Sequence, residues 1–113
     1  MDIRLPAHLE VNGLVRAAQA VGGFAMVLQK GERDAGTILI VFLDNQDLGT
    51  LYERMPDVDG TRKWRVSKSQ VIDNKQEFED YLDRRKAQDR DLWIVELTVA
   101  DRERFVRDNL SLT

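Results

Sequence analysis

The stretch Ile38-Leu39-Ile40-Val41-Phe42-Leu43 is the longest unbroken apolar run in the chain. Successive side chains of a strand point to opposite faces of the sheet, so a strand of this sequence is apolar on both faces. A short apolar run between turn residues is typical of a strand in the interior of a sheet. We therefore predict that residues 37–43 form a central strand.

Four further segments have the composition and alternation of strands. They are residues 24–28 before the central strand and residues 48–55, 63–67 and 92–97 after it. Turn residues separate the first four strands, and Asp59-Gly60 among them is typical of a two-residue hairpin turn. The order predicts an antiparallel meander, and the apolar segment 92–97 is expected to lie inside the same sheet.

Two segments show the spacing of amphipathic helices. The first begins near Pro6 and ends at the glycine pair 22–23, because proline suits a first turn and glycine suits a helix end. The second begins at Asn74, which precedes Glu77 by three residues as in a capping box. A short terminal helix is expected over residues 101–108. Together these elements predict an α+β fold, a mostly antiparallel sheet of about five strands with two main helices packed on one face.

The composition limits the size and the chemistry of the protein. A chain of 113 residues can bury one hydrophobic core, so we expect a single domain spanning residues 1–113. Cysteine is absent and His8 is the one histidine, which removes thiol chemistry and the usual zinc ligands. We expect no metal site and no bound cofactor.

Charge and hydropathy indicate where the protein works. The 17 basic and 20 acidic residues give a net charge of −3, which opposes non-specific binding to nucleic acid. The first residues lack the apolar segment of a secretory signal, and no apolar run approaches the ~20 residues of a membrane helix. We expect a cytoplasmic protein without a membrane segment.

A local excess of positive charge lies on the predicted hairpin after the central strand. Its basic residues are Arg54, Arg62, Lys63, Arg65 and Lys68. We expect Trp64 and Val66 to face the core. Lys63 and Arg65 then point together toward solvent, with Arg54 beside them or diagonal to them. Such a surface is a candidate anion-binding site, but basic residues also protect edge strands from unwanted pairing, and this second interpretation is favoured.

Glu96 is a carboxylate in a strand that is otherwise apolar on both faces. Burial of an unpaired charge is costly, so Glu96 is expected at the edge of the core, in an ion pair or in a functional site. Arg16 and Lys30 are its candidate partners, and a structural salt bridge is favoured. The sequence shows no grouping of a nucleophile with a base, which disfavours enzymatic function.

Gly31 and Gly36 have the spacing of the glycines in a phosphate-binding loop. Thr37-Ile38 stands where that loop needs lysine followed by serine or threonine, and a strand follows where a helix is needed. The segment therefore predicts a hairpin turn between the first two strands and not a nucleotide site.

Several short motifs are spread over nearly the whole chain. They are Arg4-Leu5-Pro6, Gly22-Gly23, Lys30-Gly31 followed by Asp34-Ala35-Gly36, the isolated Trp64, and Asp91-Leu92-Trp93-Ile94-Val95-Glu96. As a set they resemble the small alphaproteobacterial family known as domain of unknown function 1491. The resemblance implies a small bacterial protein, and it implies no activity, cofactor, partner or functional residue.

Three functional hypotheses follow from the sequence. The leading one is a non-enzymatic protein-interaction or adaptor module that binds an unknown protein partner or itself, through an edge strand or the apolar side of the first helix. The second is recognition of an anionic ligand, a nucleotide or RNA, by the basic hairpin, although the net charge disfavours nucleic acid. The third is an enzyme with a carboxylate-based site formed by Glu96, Arg16 and Lys30.

Overall fold

The computed structural model describes residues 5–110, and within this range the chain forms three helices and five strands. The elements are, in chain order, α1 (Ala7–Ala20), β1 (Phe24–Gln29), β2 (Ile38–Leu43), β3 (Gly49–Pro56), β4 (Arg62–Ser69), α2 (Lys75–Gln88), β5 (Trp93–Thr98) and α3 (Arg102–Asn109). All five predicted strands are present, and each strand boundary lies within two residues of the predicted one.

The five strands form one sheet in the order β1-β5-β2-β3-β4. β2 and β5 are parallel, and the other three neighbouring pairs are antiparallel. The predicted α+β class with a mostly antiparallel sheet of five strands is therefore confirmed for the described residues. The predicted meander holds for β2, β3 and β4, but β1 does not belong to it, because β5 lies between β1 and β2.

The segment between β1 and β2 is a crossover connection and not the predicted hairpin turn. It packs against the start of β5, where the Trp93 Nε1 donates a hydrogen bond to the Glu32 carbonyl at 2.7 Å. A Cβ atom on Gly31 would lie 2.2 Å from the Asp91 carbonyl oxygen, so the close approach requires glycine. The glycine spacing that resembles a phosphate-binding loop thus serves backbone packing.

The two parallel strands at the centre of the sheet are covered on both faces. Leu39 and Ile94 point to one face, Ile40 and Val95 point to the other, and all four are 0% exposed. The prediction of a central strand at residues 37–43 is confirmed. α1 and α3 pack on the face of Ile40 and Val95, whereas α2 packs on the opposite face.

The prediction of two main helices packed on one face is therefore wrong. The two main helices, α1 and α2, lie on opposite faces of the sheet, and the expected short terminal helix is present as α3 on the face of α1. The physical reason is the sequence of the central strands, because a strand that is apolar on both sides needs a covering element on each side.

The helices that follow the sheet strands begin at side-chain caps. Asn74 accepts a hydrogen bond from the Glu77 backbone N–H at 3.3 Å, which confirms the predicted start of α2. Asp101 caps α3 in the same way, through the Arg104 backbone N–H at 3.0 Å. α2 contributes only Phe78 as a fully buried side chain. Within residues 5–110, the helices are too short and too polar to cross a membrane.

The hairpin between β3 and β4 is present, but its loop is longer than the predicted two residues. Pro56 pairs with Arg62, so residues 57–61 form the loop. Gly60 has a φ of 85°, a conformation that favours glycine. The pairing then shifts between Leu51 and Tyr52, which marks a β-bulge near the end of β4.

Candidate functional site

The basic residues of the hairpin divide between the two faces of the sheet. Lys63 and Arg65 share one face, as the sequence predicted. Arg54 pairs with Trp64 and lies on the other face, with its guanidinium 4.5 Å from the ring centroid and in an ion pair with Glu10. The expectation that Arg54 lies beside Lys63 and Arg65 or diagonal to them is wrong, because Arg54 pairs with Trp64 and successive residues of a strand point to opposite faces.

Most of the positive charge on the hairpin already meets acceptors in the same chain. Asp57 lies 3.0 Å from the Lys63 Nζ and 3.2 Å from the Arg65 Nη2. The hydrogen bond from Lys63 is the main cause that lowers the pKa of Asp57. Lys68 contacts a glutamate of α2 at 2.7 Å, and Arg62 donates a hydrogen bond to a β3 carbonyl at 3.2 Å. An anion at this surface has to compete with these carboxylates.

The predicted polar cluster of Arg16, Lys30 and Glu96 is not brought together. Glu96 lies on the α2 side of the sheet, where Met26 and Val41 are its cross-strand neighbours. Arg16 is exposed on α1, which packs against the opposite face, and Lys30 is exposed after the end of β1. Within residues 5–110, Glu96 makes no hydrogen bond or ion pair, so the favoured salt bridge is absent from this part of the chain.

Glu53 is the buried carboxylate that the sequence analysis missed. Its side chain is the one buried charged group in the described range, and it lies under α2. It accepts hydrogen bonds from the Ser67 Oγ at 2.6 Å and the Tyr81 Oη at 3.0 Å, and it forms an ion pair with Arg85. The alternation in β3 was a usable signal, because Glu53 falls on the same face as the buried Leu51.

The surroundings of Glu53 keep its carboxylate ionised. Burial by itself raises the pKa of Glu53, but the hydrogen bonds from Ser67 and Arg85, the positive charge of Arg85 and the hydrogen bond from Tyr81 together lower it. A carboxylate with a lowered pKa is a poor general acid at neutral pH. The arrangement is suited to attaching α2 to the sheet.

β1 forms one edge of the sheet and exposes apolar side chains. Phe24 is 75% exposed, Met26 is 59% exposed and Leu28 is 39% exposed. β1 contains no charged residue, whereas β4 at the other edge carries four basic residues. The uncharged run 24–28 was visible in the sequence, but local alternation does not reveal which strands lie at the edges of a sheet.

A cleft of about 550 Å³ lies between α2 and the sheet, next to β1. Its apolar lining includes Leu28, Val41, Phe78 and Leu82. α2 covers β2 and β3 on this side, and it leaves β1 and the second half of β5 uncovered. We call this uncovered surface the open face. Its residues are Phe24, Met26, Leu28 and Glu96.

A second cleft of about 670 Å³ lies at the far end of the sheet, beside the start of α3. Two of its three carboxylates already have partners: Asp44 accepts hydrogen bonds from the backbone N–H groups of residues 46 and 48, and Asp101 caps α3. The bonds from Leu48 and Gln46 are the main causes that lower the pKa of Asp44. No group of three metal-ligating side chains occurs in the part of the chain that the structure describes.

Comparison with known proteins identifies relatives along almost the whole chain. The family model DUF1491, a protein of unknown function, matches residues 5–107. No curated protein matches the chain.

Three solved structures have the same fold. A crystal structure of a DUF1491 family protein from Caulobacter crescentus CB15 is 28% identical, with a TM-score of 0.75 over 90% of this chain and 94% of that chain. A solution structure of a protein from A. tumefaciens is 27% identical, with a TM-score of 0.75 over 98% of this chain and 96% of that chain. An NMR structure of a DUF1491 family protein from Caulobacter crescentus CB15 is 27% identical, with a TM-score of 0.75 over 97% of this chain and 96% of that chain. Both organisms are alphaproteobacteria, as the sequence resemblance implied.

Proposed function

The chain belongs to the DUF1491 family of proteins of unknown function, and we propose that it is a protein-interaction module. The contact surface in this proposal is β1 with the open face. The protein acts in the cytoplasm, and binding to another protein is its function, without catalysis.

The contrast between the two sheet edges carries this proposal. An edge strand presents unpaired backbone groups, and proteins usually protect such edges with charged residues. β4 has this protection in Arg62, Lys63 and Arg65, whereas β1 exposes apolar side chains on an uncharged strand. Contiguous exposed apolar groups on a folded protein are typical of interaction sites.

The exposed side chains of β1 also offer a sufficient driving force. Burial of a whole large apolar side chain contributes roughly 1.5–3 kcal/mol. Phe24 and Met26 each have more than half of their surface exposed, so a partner that covers both gains about 2 kcal/mol or more from them. A few residues usually carry most of the binding free energy of an interface, and Phe24 and Met26 are the candidates for this role here.

The state of the buried Glu53 supports a binding function over catalysis by a carboxylate. Glu53 already accepts hydrogen bonds from three side chains, and its lowered pKa keeps it charged. Glu96 stays the candidate of the enzymatic alternative, but Arg16 and Lys30 do not lie beside it.

A substitution in β1 tests the proposed function. We expect Met26→Lys to lose the proteins that the wild type captures from a lysate of the source cells, by about tenfold or more in quantitative mass spectrometry. Met26 is 59% exposed, so the lysine reaches solvent and the fold is retained, which circular dichroism and the melting temperature verify.

Val66→Lys is the matched control, because Val66 is 48% exposed on the opposite edge strand. It should capture the same proteins as the wild type. Equal capture by Met26→Lys, together with a strictly monomeric mass of the wild type in light scattering, would contradict the proposal.

One observation favours a second candidate function, binding of an anionic ligand such as a nucleotide or RNA. Lys63 and Arg65 share a face and keep 46% and 52% of their side-chain surface exposed. Asp57 competes for both cations, so we expect weak binding that depends strongly on salt.

A further inference from the structure

We propose that the open face binds an amphipathic helix of a partner protein, packed alongside α2, with basic residues at the border of its apolar stripe. This inference rests on the proposed protein-interaction function and names the class of partner. It concerns the surface formed by Phe24, Met26, Leu28 and Glu96.

The dimensions of the open face match one helix. Neighbouring strands of a sheet lie about 4.8 Å apart, and a helix with its side chains is about 10–12 Å wide. One helix therefore covers about two strands. On the other face of the sheet two helices, α1 and α3, share the cover, whereas α2 is alone on its side and leaves β1 and half of β5 bare.

The apolar groups of the open face suit the apolar stripe of a helix. Leu28 of β1 and Leu82 of α2 line the cleft from opposite sides, and Met26 is exposed on β1 beside Glu96 at the border of the cleft. A helix between them contacts β1 with one border of its stripe and α2 with the other. An isolated extended strand added to the β1 edge would leave this cleft unfilled.

The charges around the cleft favour a basic helix. Four carboxylates and two lysines line it, for a net charge of −2. They are Asp47, Glu79, Asp83, Glu96, Lys75 and Lys86. Lys86 lies 4.0 Å from Asp83. Asp47, Glu79 and Glu96 have no ion-pair partner within residues 5–110, so they are available to cations of another protein.

Glu96 is the anchor in this arrangement. It stands on the second half of β5 between Met26 and Val41, where its carboxylate is partly buried and unpaired. Further desolvation of an unpaired carboxylate costs free energy, and a lysine or arginine of the partner offsets that cost. The unpaired state of Glu96 is thus explained by a partner that supplies the cation.

Two synthetic helical peptides of about 18 residues test the inference, a length that spans about five turns. Both carry leucine at the i, i+3, i+4 and i+7 positions. One has lysine and arginine beside the leucines, and the other has glutamate at the same places. Fluorescence anisotropy measures the binding of each peptide to the full chain, and NMR chemical shifts of the chain locate it.

We expect the basic peptide to bind the wild type at least about tenfold more tightly than the acidic one. Glu96→Lys should weaken the basic peptide by about tenfold and strengthen the acidic one. Asp34→Lys is the matched control, because Asp34 is exposed in the crossover connection and changes the net charge equally. It should change the affinity for either peptide less than about twofold.

Three results would overturn the inference. They are failure of the basic peptide to bind, equal binding of both peptides, and equal affinity of the wild type and Glu96→Lys for the basic peptide. Two further results count against a helical partner. One is binding of an extended peptide to β1 with an affinity that Glu96→Lys does not change, and the other is a dimer in light scattering that forms through β1. If Met26→Lys still loses its captured proteins in these cases, the proposed function stands and only the helix is rejected.

Discussion

Glu53 connects a sheet strand to α2 through polar contacts in a buried position. Ser67 comes from the neighbouring strand, and Tyr81 and Arg85 come from successive turns of α2. The Arg85 Nη1 also donates a hydrogen bond to the Tyr81 Oη at 3.0 Å. Since Phe78 is the one buried apolar side chain of α2, this network adds polar contacts to a small apolar interface between the helix and the sheet.

Glu53→Gln is expected to lower the free energy of unfolding by about 2 kcal/mol at pH 7. The amide keeps the shape of the side chain but removes the charge, which leaves Arg85 without its ion-pair partner. Urea denaturation followed by circular dichroism measures the change. Glu79→Gln on the exposed side of α2 is the control and should change stability by less than about 0.5 kcal/mol.

The contribution of Glu53 depends on pH in a defined direction. Its pKa is lowered in the folded chain, so the folded state favours the ionised form. The stabilisation is complete at a pH above the pKa of glutamate in the unfolded chain, about 4.3. It is lost as the pH falls through the lower pKa that Glu53 has in the folded chain. The stability difference between the wild type and Glu53→Gln should therefore shrink below about pH 4. A constant difference from pH 7 to pH 3 would contradict this account.

The sequence pattern singles out Glu96 and not Glu53. Glu96 interrupts a strand that is otherwise apolar, which is a local signal. Glu53 alternates with polar residues in a strand of mixed composition, and its burial depends on where α2 packs. Tyr81 and Arg85, which bury Glu53, follow it by 28 and 32 residues. Such a long-range contact is not visible in local periodicity.

The sequence predicts the positions of the five strands, but it predicts only part of their order in the sheet. β2 was correctly placed at the centre, because its apolar faces require cover on both sides. β1 was placed beside β2, since consecutive strands usually pair. The long-range pairing of β1 with β5 prevails because β5 offers both an antiparallel partner for β1 and a parallel partner for β2.

The hairpin of β3 and β4 allows a prediction for the second candidate function. Lys63→Glu and Arg65→Glu should each weaken binding of single-stranded RNA at about 20 mM salt, whereas Asp57→Asn should strengthen it. Asp57 contacts both cations, so its neutralisation leaves them available to phosphate. Fluorescence anisotropy with a labelled RNA measures each affinity, and the exposed Lys30→Glu serves as the control.

If the hairpin is the binding surface, Lys63→Glu and Arg65→Glu must lower the affinity for RNA and Asp57→Asn must raise it. If Lys63→Glu and Lys30→Glu weaken the binding equally, only the net charge of the chain matters. Absence of binding at low salt would remove the second candidate function altogether.

The helices on the two faces of the sheet differ in how much apolar surface they bury against it. α1 contributes Val11, Leu14 and Ala18 to the larger core cluster, which also takes in α3. α2 contributes a single fully buried side chain to the smaller cluster. The side of the sheet with the open face is thus also the side with less apolar burial by helices.

Hydrogen exchange of the intact chain tests this difference. Amides of β2 and β5 should exchange slowest, and amides of α2 should exchange at least about tenfold faster, because α2 can open without loss of the central strands. Glu53→Gln should accelerate exchange in α2 more than in β5. Equal acceleration everywhere would mean that α2 opens only with the whole fold, and that the Glu53 network stabilises the molecule as one cooperative unit.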